Sequence, residues 1–385
     1  MHVAFLCEEY PPFRNGGIGT YTKEVAERLV QMGHEITVIG VYADVDQDTE
    51  TFENGVRLLR LAPSRLGNFG NRLKVYRRVR RLESERRVDV LESQEYGGFL
   101  MFWPRTRFKI IVRLHGSVVY FNDELKEKSA LKKLLWRVPE GSTLRRADRI
   151  VSVSRYTADR TKTLFGLSRP IDVIYNGVRL PQVRKTDYAA CRELKVVFAG
   201  SLVGKKGFFK LIHAWRDVIE QVPDARLHIA GKDNWNSFQI VEQVLGEDRN
   251  SVLYHGVLEK TDLENLFCRM DVAIFPSFSE AFSLAPMEAM AVGLPVIYTS
   301  MSSGPELISP GKNGWLIDAA DIGSISDSII KFYGLSADQR LHIGEEGRRL
   351  IFDRFSVERL AQDNEALYLS MLAAPTAEKG SADVE

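Results

Sequence analysis

Residues 279–296, reading SEAFSLAPMEAMAVGLPV, constrain the fold of this chain more than any other stretch. They follow an apolar run, Asp271 to Phe275 (DVAIF), with the length and composition of a buried strand. They lead into Met287 to Val292, which reads as a helix closed by Gly293. Glu280 then lies on a strand-to-helix loop and Glu288 in the first turns of the helix. Ser283 is placed as the N-cap, and Pro286 is tolerated in a first turn because its missing N–H had no intrahelical acceptor. The free N–H groups of Phe282, Ser283 and Leu284 would point outward. Such an end holds a phosphate, since unpaired donors and the positive dipole end converge, contributing about 0.3 to 1 kcal/mol when exposed. A nucleotide diphosphate fits there, with Glu288 accepting from ribose hydroxyls and Glu280 facing whatever the diphosphate carries. Two solvated glutamates would be the ordinary reading of the pair alone; the apolar frame and small residues around them favour a site.

At 385 residues the chain exceeds what one core organises, so two domains are expected. Its 44% hydrophobic and 27% charged residues are those of a soluble globular protein. With 52 basic and 51 acidic residues, global charge gives no reason to expect a nucleic-acid partner. Cys7, Cys191 and Cys268 are far apart and odd in number, forming neither a disulfide framework nor a metal knuckle, so a reducing cytoplasm is expected. Met1 to Glu8 has no basic region before its apolar run, and nowhere do about 18 apolar residues run together, so neither a signal peptide nor a membrane span is expected.

In chain order, His2 to Cys7 reads as a strand, followed by a loop bearing Arg14, Gly16 and Gly17, a helix over Thr20 to Met32, and a strand over Glu35 to Val41. Glycines at a helix entrance let backbone approach a ligand closely, but the GxGxxG spacing of dinucleotide sites is absent. Asp44 to Asn54 reads as a polar loop, and Val56 to Leu61 as a strand. Two basic amphipathic segments follow, 72–87 and 126–137. They are either solvated helix faces or docking surfaces for an anionic membrane leaflet. Further apolar runs separated by helical patterns predict a parallel, doubly wound sheet. His115, Ser154 and Asn176 fall at carboxyl ends of its strands, where ligands bind. Ser154 is also a good N-cap, and Asn176-Gly177 a plain turn signal.

Periodicity is lost over Leu180 to Glu193 and a fresh strand begins at Leu194, which marks a domain boundary. A loop bearing Ser201, Lys205 and Lys206 then repeats the strand, glycine loop and helix order of the N-terminus. It is not a Walker A loop, since Ala199 and Lys206 stand where Gly and Ser or Thr are needed. A last helix spans 357–372, and 373–385 reads as a disordered tail.

Gly16-Gly17, His115, Lys206 and the glutamate pair before the EAMA-x-G-x-P run, taken together and in this order, resemble retaining glycosyltransferases of the GT-B fold, family GT4. The resemblance implies two Rossmann-like domains facing a cleft. Residues 1–180 would bind the acceptor, 194–355 would bind a nucleotide sugar, and the last helix would pack back on the first domain. It implies that Gly16 and Gly17 lie against the donor diphosphate, that His115 reaches the transferred sugar, and that Lys206 neutralises the departing phosphate. Glu280 would hold the sugar's hydroxyls and Glu288 the ribose. No metal or other cofactor is expected.

Members commonly carry arginine where this chain has Ser201, and Lys205 or Arg14 could supply the missing charge. Arg14, Ser154 and Asn176 would face the acceptor side. UDP-glucose is the leading donor and GDP-mannose its rival. The acceptor would be a saccharide or lipid-linked saccharide in cell-surface polysaccharide synthesis, reached from the cytoplasm or from the inner face of the membrane. A nucleotide-sugar epimerase, a dinucleotide dehydrogenase and a non-catalytic sugar-nucleotide binder are the competing readings.

Overall fold

The computed structural model describes residues 1–12, 16–124, 130–187 and 193–373, with side chains for all but 123, 124 and 130–134. Arg14 and part of the basic segment 126–137 therefore lie outside the described residues, as does the tail from 374 onward.

Eight strands form the first sheet: β1 (His2–Leu6), β2 (Glu35–Val41), β3 (Thr49–Glu53), β4 (Val56–Leu61), β5 (Val90–Gln94), β6 (Lys109–Leu114), β7 (Arg149–Ser152) and β8 (Asp172–Val173). Their spatial order is β3-β4-β2-β1-β5-β6-β7-β8, parallel throughout except that β3 runs antiparallel to β4. The helices between them are α1 (Gly17–Gln31), α2 (Gly67–Glu85), α3 (Val118–Glu124), α4 (Ala130–Arg146) and α5 (Arg155–Phe165). Six strands form the second sheet: β9 (Lys195–Ala199), β10 (Arg226–Ala230), β11 (Val252–Tyr254), β12 (Val272–Phe275), β13 (Val296–Thr299) and β14 (Trp315–Ile317). Its order is β11-β10-β9-β12-β13-β14, all parallel. The helices here are α6 (Phe208–Gln221), α7 (Gln239–Leu245), α8 (Lys260–Arg269), α9 (Leu284–Ala291), α10 (Gly304–Leu307), α11 (Ile322–Tyr333) and α12 (Ala337–Arg354), and α13 (Val357–Ala373) ends the described chain.

Each sheet buries both faces, as the near-continuous apolar runs require. Along β1, Val3, Phe5 and Cys7 enter one core and Ala4 and Leu6 the other; along β9, Val196 and Phe198 separate from Val197 and Ala199 in the same way. The alternation is the two-residue period of a pleated strand. Strand order reverses between β1 and β5 in the first sheet and between β9 and β12 in the second. Loops leaving adjacent strands on opposite sides of such a point diverge and open a crevice at the carboxyl ends. The two crevices face each other across the cleft.

The antiparallel edge strand β3 replaces the polar loop expected over Asp44 to Asn54. Its residues are exposed, Phe52 included, so no apolar alternation advertises it. Asn54 and Gly55, both at positive φ (48° and 82°), make the tight hairpin to β4, and Asn-Gly is the usual sequence for that turn.

The last helix returns to the first domain. Leu360, Leu367, Tyr368 and Met371 of α13 join the core that contains Phe5, Tyr21 and Leu29. A buried polar group reinforces the contact. Glu92 on β5 pairs with Arg113 on β6 at 2.6 Å and accepts from Tyr21 (2.9 Å) and Tyr368 (2.7 Å), while Asn364 accepts from Arg113. Where the chain crosses between domains the two strands of the connection are tied together, Val178 N–H donating to Phe355 C=O (2.9 Å) and Val357 N–H to Val178 C=O (3.1 Å).

Candidate functional site

A cleft of about 560 Å³ lies between the two crevices. Its second-domain wall is the β12–α9 loop, which contributes Glu280, Phe282, Ser283, Leu284 and, a turn further on, Glu288. Its first-domain wall comes from Gly16 and Gly17 at the start of α1, Tyr96 after β5, and His115 after β6. The cleft gathers, from the expected residues, Gly16, Gly17, His115, Asn176, Lys206, Glu280, Phe282, Ser283, Leu284 and Glu288.

Glycine is required at the α6 entrance by geometry. Gly207 has φ 74°, and a Cβ on it would meet the Pro276 carbonyl oxygen at 1.8 Å. This contact seats the 203–207 loop directly on the end of β12. Lys206 Nζ consequently reaches Glu280 Oε1 at 2.5 Å. Lys205 goes elsewhere. Its ammonium stands 3.1 Å from the centroid of the Phe121 ring on α3 of the first domain, and burial holds its pKa down at about 8. The expectation that Lys205 lines the diphosphate site is corrected here: a desolvated ammonium finds the π-face across the cleft. Ser201 is likewise outside this cleft. It borders a second cavity of about 680 Å³ with Glu8, Glu9, Tyr42, Asn71 and Asn234.

Ser283 occupies the N-cap position of α9 with extended backbone, but its side chain makes no capping hydrogen bond. The N–H groups at this helix end are thus not taken by the cap residue. Burial raises the Glu288 carboxyl above the usual range. Ser154 is an N-cap in full, its Oγ accepting from Thr157 N–H at 3.1 Å, and it is completely buried. Its expected place facing an acceptor is therefore corrected to a capping role. Asn176 does more than turn the chain: its Nδ2 donates to Phe282 C=O at 2.9 Å, from one domain to the other. Tyr120 O–H donates to Glu280 C=O (3.2 Å) and Thr157 O–H to Ala281 C=O (3.3 Å). Three first-domain side chains thus hold three successive carbonyls of the Glu280 loop.

His115 and the turn after it are held by two buried carboxylates that sequence patterns gave no reason to select. Glu95, after β5, accepts from the N–H groups of His115 (3.0 Å) and Gly116 (2.7 Å). Glu140, on α4, accepts from Val118 (2.8 Å) and Val119 (3.2 Å). Burial pushes the Glu95 carboxyl up to about 8 and that of Glu140 to about 7. Burial, with the Arg113 charge added, depresses the His115 imidazole to about 3, so the ring is neutral at physiological pH. Glu9 was also missed. Its Oε2 accepts from Gly16 N–H at 3.1 Å and fixes the entrance of α1.

The basic segment over 72–87 is largely neutralised within the chain. Lys74 pairs with Asp48, Arg78 with Glu50, Arg80 with Glu83 and Arg81 with Glu85. Among the described residues no helix is long and apolar enough to cross a membrane.

Known proteins add to this geometry. The family model "Glycosyltransferase Family 4" matches residues 15–181 and "Glycosyl transferases group 1" matches 188–350. The chain is 25% identical over 401 residues to an uncharacterised glycosyltransferase of Methanocaldococcus jannaschii, covering 96% of this chain and 98% of that one. It is also 25% identical over 388 residues to a GDP-mannose-dependent α-(1-6)-phosphatidylinositol monomannoside mannosyltransferase of Mycobacterium tuberculosis, covering 93% and 96%. Among solved structures, Anabaena HepE in complex with UDP-glucose superposes with a TM-score of 0.74 at 18% identity, over 96% of this chain and 100% of that one.

Proposed function

Because the chain belongs to the family 4 glycosyltransferases and has their GT-B fold, we propose that it moves a hexose from a nucleotide sugar, UDP-glucose foremost, to a saccharide or lipid-linked saccharide, with retention of configuration. The observation that carries this reading is the Lys206–Glu280 pair at the amino end of α9, facing His115 across the cleft.

In the reaction the α9 end and Lys206 take the diphosphate and Glu288 the ribose. A carboxylate beside a ribose accepts from its paired hydroxyls, while the lysine offsets the charge that grows on the departing phosphate. Diphosphate binding draws Lys206 from Glu280 and frees that carboxylate to accept from the sugar's hydroxyls near the anomeric carbon. His115, uncharged, donates or accepts a hydrogen bond at the sugar without adding charge where a cationic transition state develops. No protein nucleophile is invoked: the acceptor hydroxyl attacks the face the phosphate leaves, and the phosphate oxygen takes its proton. Lys205 on Phe121 ties the two domains together beside Glu280 and leaves Lys206 as the cation at the leaving group.

The test is release of UDP or GDP from a panel of sugar nucleotides with chelator present, for the wild type and Glu280→Ala. Release from one donor, lost in the variant, supports a metal-independent transferase using this site. GDP-mannose is the second reading, because the mycobacterial relative is named for it. Release from GDP-mannose with none from UDP-glucose decides for it. Sedimentation with anionic vesicles tests a peripheral place on the membrane; the ion pairs along α2 make its basic face a weak anchor.

A further inference from the structure

The first domain carries a groove that the transfer chemistry does not use. It is about 320 Å³, lined by Phe69, Leu73 and Tyr76 of α2 and by Met101, Phe102 and Trp103 after β5, with Arg72 its one charged member. Phe69 is 71% exposed and Phe102 76%, so two phenyl rings stand in water at its edge. Neighbouring exposed apolar rings are unusual on a soluble surface and mark a contact site. Phe102 is also held there against its backbone preference. Its φ is 58°, a region that bulky residues rarely enter, and its N–H is fixed by Ser142 Oγ at 3.1 Å.

Groove and cleft share no lining residue, but residues adjacent in the chain relate the two through a chamber. The larger cavity bordered by Glu8 and Asn71 shares Glu9 and Gly16 with the cleft. Asn71 is followed by Arg72, whose guanidinium feels the Glu8 carboxylate and donates twice to Gly97 C=O, at 3.1 and 2.8 Å. Tyr96, next in the chain, lines the cleft itself. Polar chamber and apolar groove are thus joined by consecutive residues of α2, Asn71 and Arg72. Charge pairing differs along α2 and its flanks. Lys74, Arg78, Arg80 and Arg81 of α2 have acidic partners, whereas the exposed Arg65, Arg77 and Arg105, which flank the groove residues in sequence, have none among the described residues.

We propose that this groove takes the hydrocarbon chain of a lipid-phosphate-linked acceptor whose hydroxylated head occupies the chamber beside the cleft. The proposal rests on the transferase reading for the use made of the head. The chamber's carboxylates Glu8, Glu9 and Asp44 accept from neutral sugar hydroxyls and outnumber its Lys232, so the phosphate belongs further out, at Arg72. Beyond it the chain lies on Leu73, Tyr76, Met101 and Trp103.

The test is binding of decyl phosphate and hexyl phosphate, both below their micellar concentrations, to the full chain by calorimetry without donor. Each methylene buried tightens binding about fourfold, so decyl phosphate, with four more, should bind about 250-fold more tightly than hexyl phosphate. Phe102→Gly should weaken decyl phosphate about tenfold while leaving the melting temperature unchanged or raised, since glycine relieves the positive φ. A residue kept only for structure would not show that opposition. Phe69→Ser, at an exposed position, gives the same loss if the first variant folds poorly. Equal binding of the two chain lengths, or binding untouched by both substitutions, overturns the proposal. So does attachment to phosphatidylglycerol vesicles with no binding of the monomeric amphiphile, which would make the patch a bilayer contact. Binding without nucleotide release from any donor would uphold the groove and defeat the transferase reading instead.

Discussion

The two walls of the cleft are made in opposite ways. The second-domain wall is mostly one continuous segment: strand, loop and helix of 271–292 carry Glu280, the α9 end and Glu288, the 203–207 loop adds Lys206, and distant side chains reach only the backbone of the Glu280 loop. The first-domain wall is assembled from separate elements. His115 follows β6, has its N–H held by Glu95 after β5, precedes the start of α3 that Glu140 on α4 holds, and rests edge-on against Tyr21 of α1, which hangs on the Glu92–Arg113 pair and the last helix. A local wall can lose a side chain and lose chemistry alone. A wall built from five elements loses fold along with function.

Substitutions can break that contrast. The largest effect is expected of Glu92→Ala, which strands the Arg113 charge in a site about 1% exposed. Unpairing a buried ion costs about 3 to 5 kcal/mol, read as a lower denaturant midpoint. Glu280→Ala should cost about a hundred- to a thousandfold in nucleotide release while the midpoint barely moves. If the midpoint fell as far as in Glu92→Ala, the two walls would not differ as argued. Lys206→Ala removes one charged contact to the leaving group, worth about 1.5 to 3 kcal/mol, and should slow release about ten- to a hundredfold. Ser154→Ala removes an N-cap and should cost about 1 kcal/mol of stability with turnover per folded molecule unchanged.

The smallest effect sharpens the comparison through pH. His115 titrates near 3 in the folded chain against an ordinary 6.5. Below 6.5 the unfolded chain takes up a proton that the folded chain refuses, so this group's stabilisation is complete above 6.5 and is lost as pH falls towards 3. His115→Gln should flatten that part of the Tm-against-pH curve relative to the wild type. An unchanged slope would show that the folded chain protonates the imidazole as readily as the unfolded one.

The same contrast explains what the sequence could and could not tell. Glu280, Glu288 and the α9 end were legible because strand, cap and helix signals lie within twenty residues of one another. Both sheets were legible because buried parallel strands read as apolar runs. Glu95, Glu140 and Glu92 were not, since a buried carboxylate in sequence looks like any surface glutamate until the fold supplies its donors. Lys205 was misplaced because a pattern tells neighbours along the chain and not that Phe121 waits across the cleft. The exposed strand β3 carried no alternation, though Asn54-Gly55 would have found its hairpin.

The return of α13 has a consequence for how the protein is made. On the ribosome the first domain emerges early, with Arg113 and Glu92 in place, but Asn364 and Tyr368 arrive last. Until then the groove that receives α13 stays open, with Phe5, Tyr21 and Leu29 lacking their cover. Synthesis of the first half therefore cannot finish its folding, and the newborn domain must wait for α13.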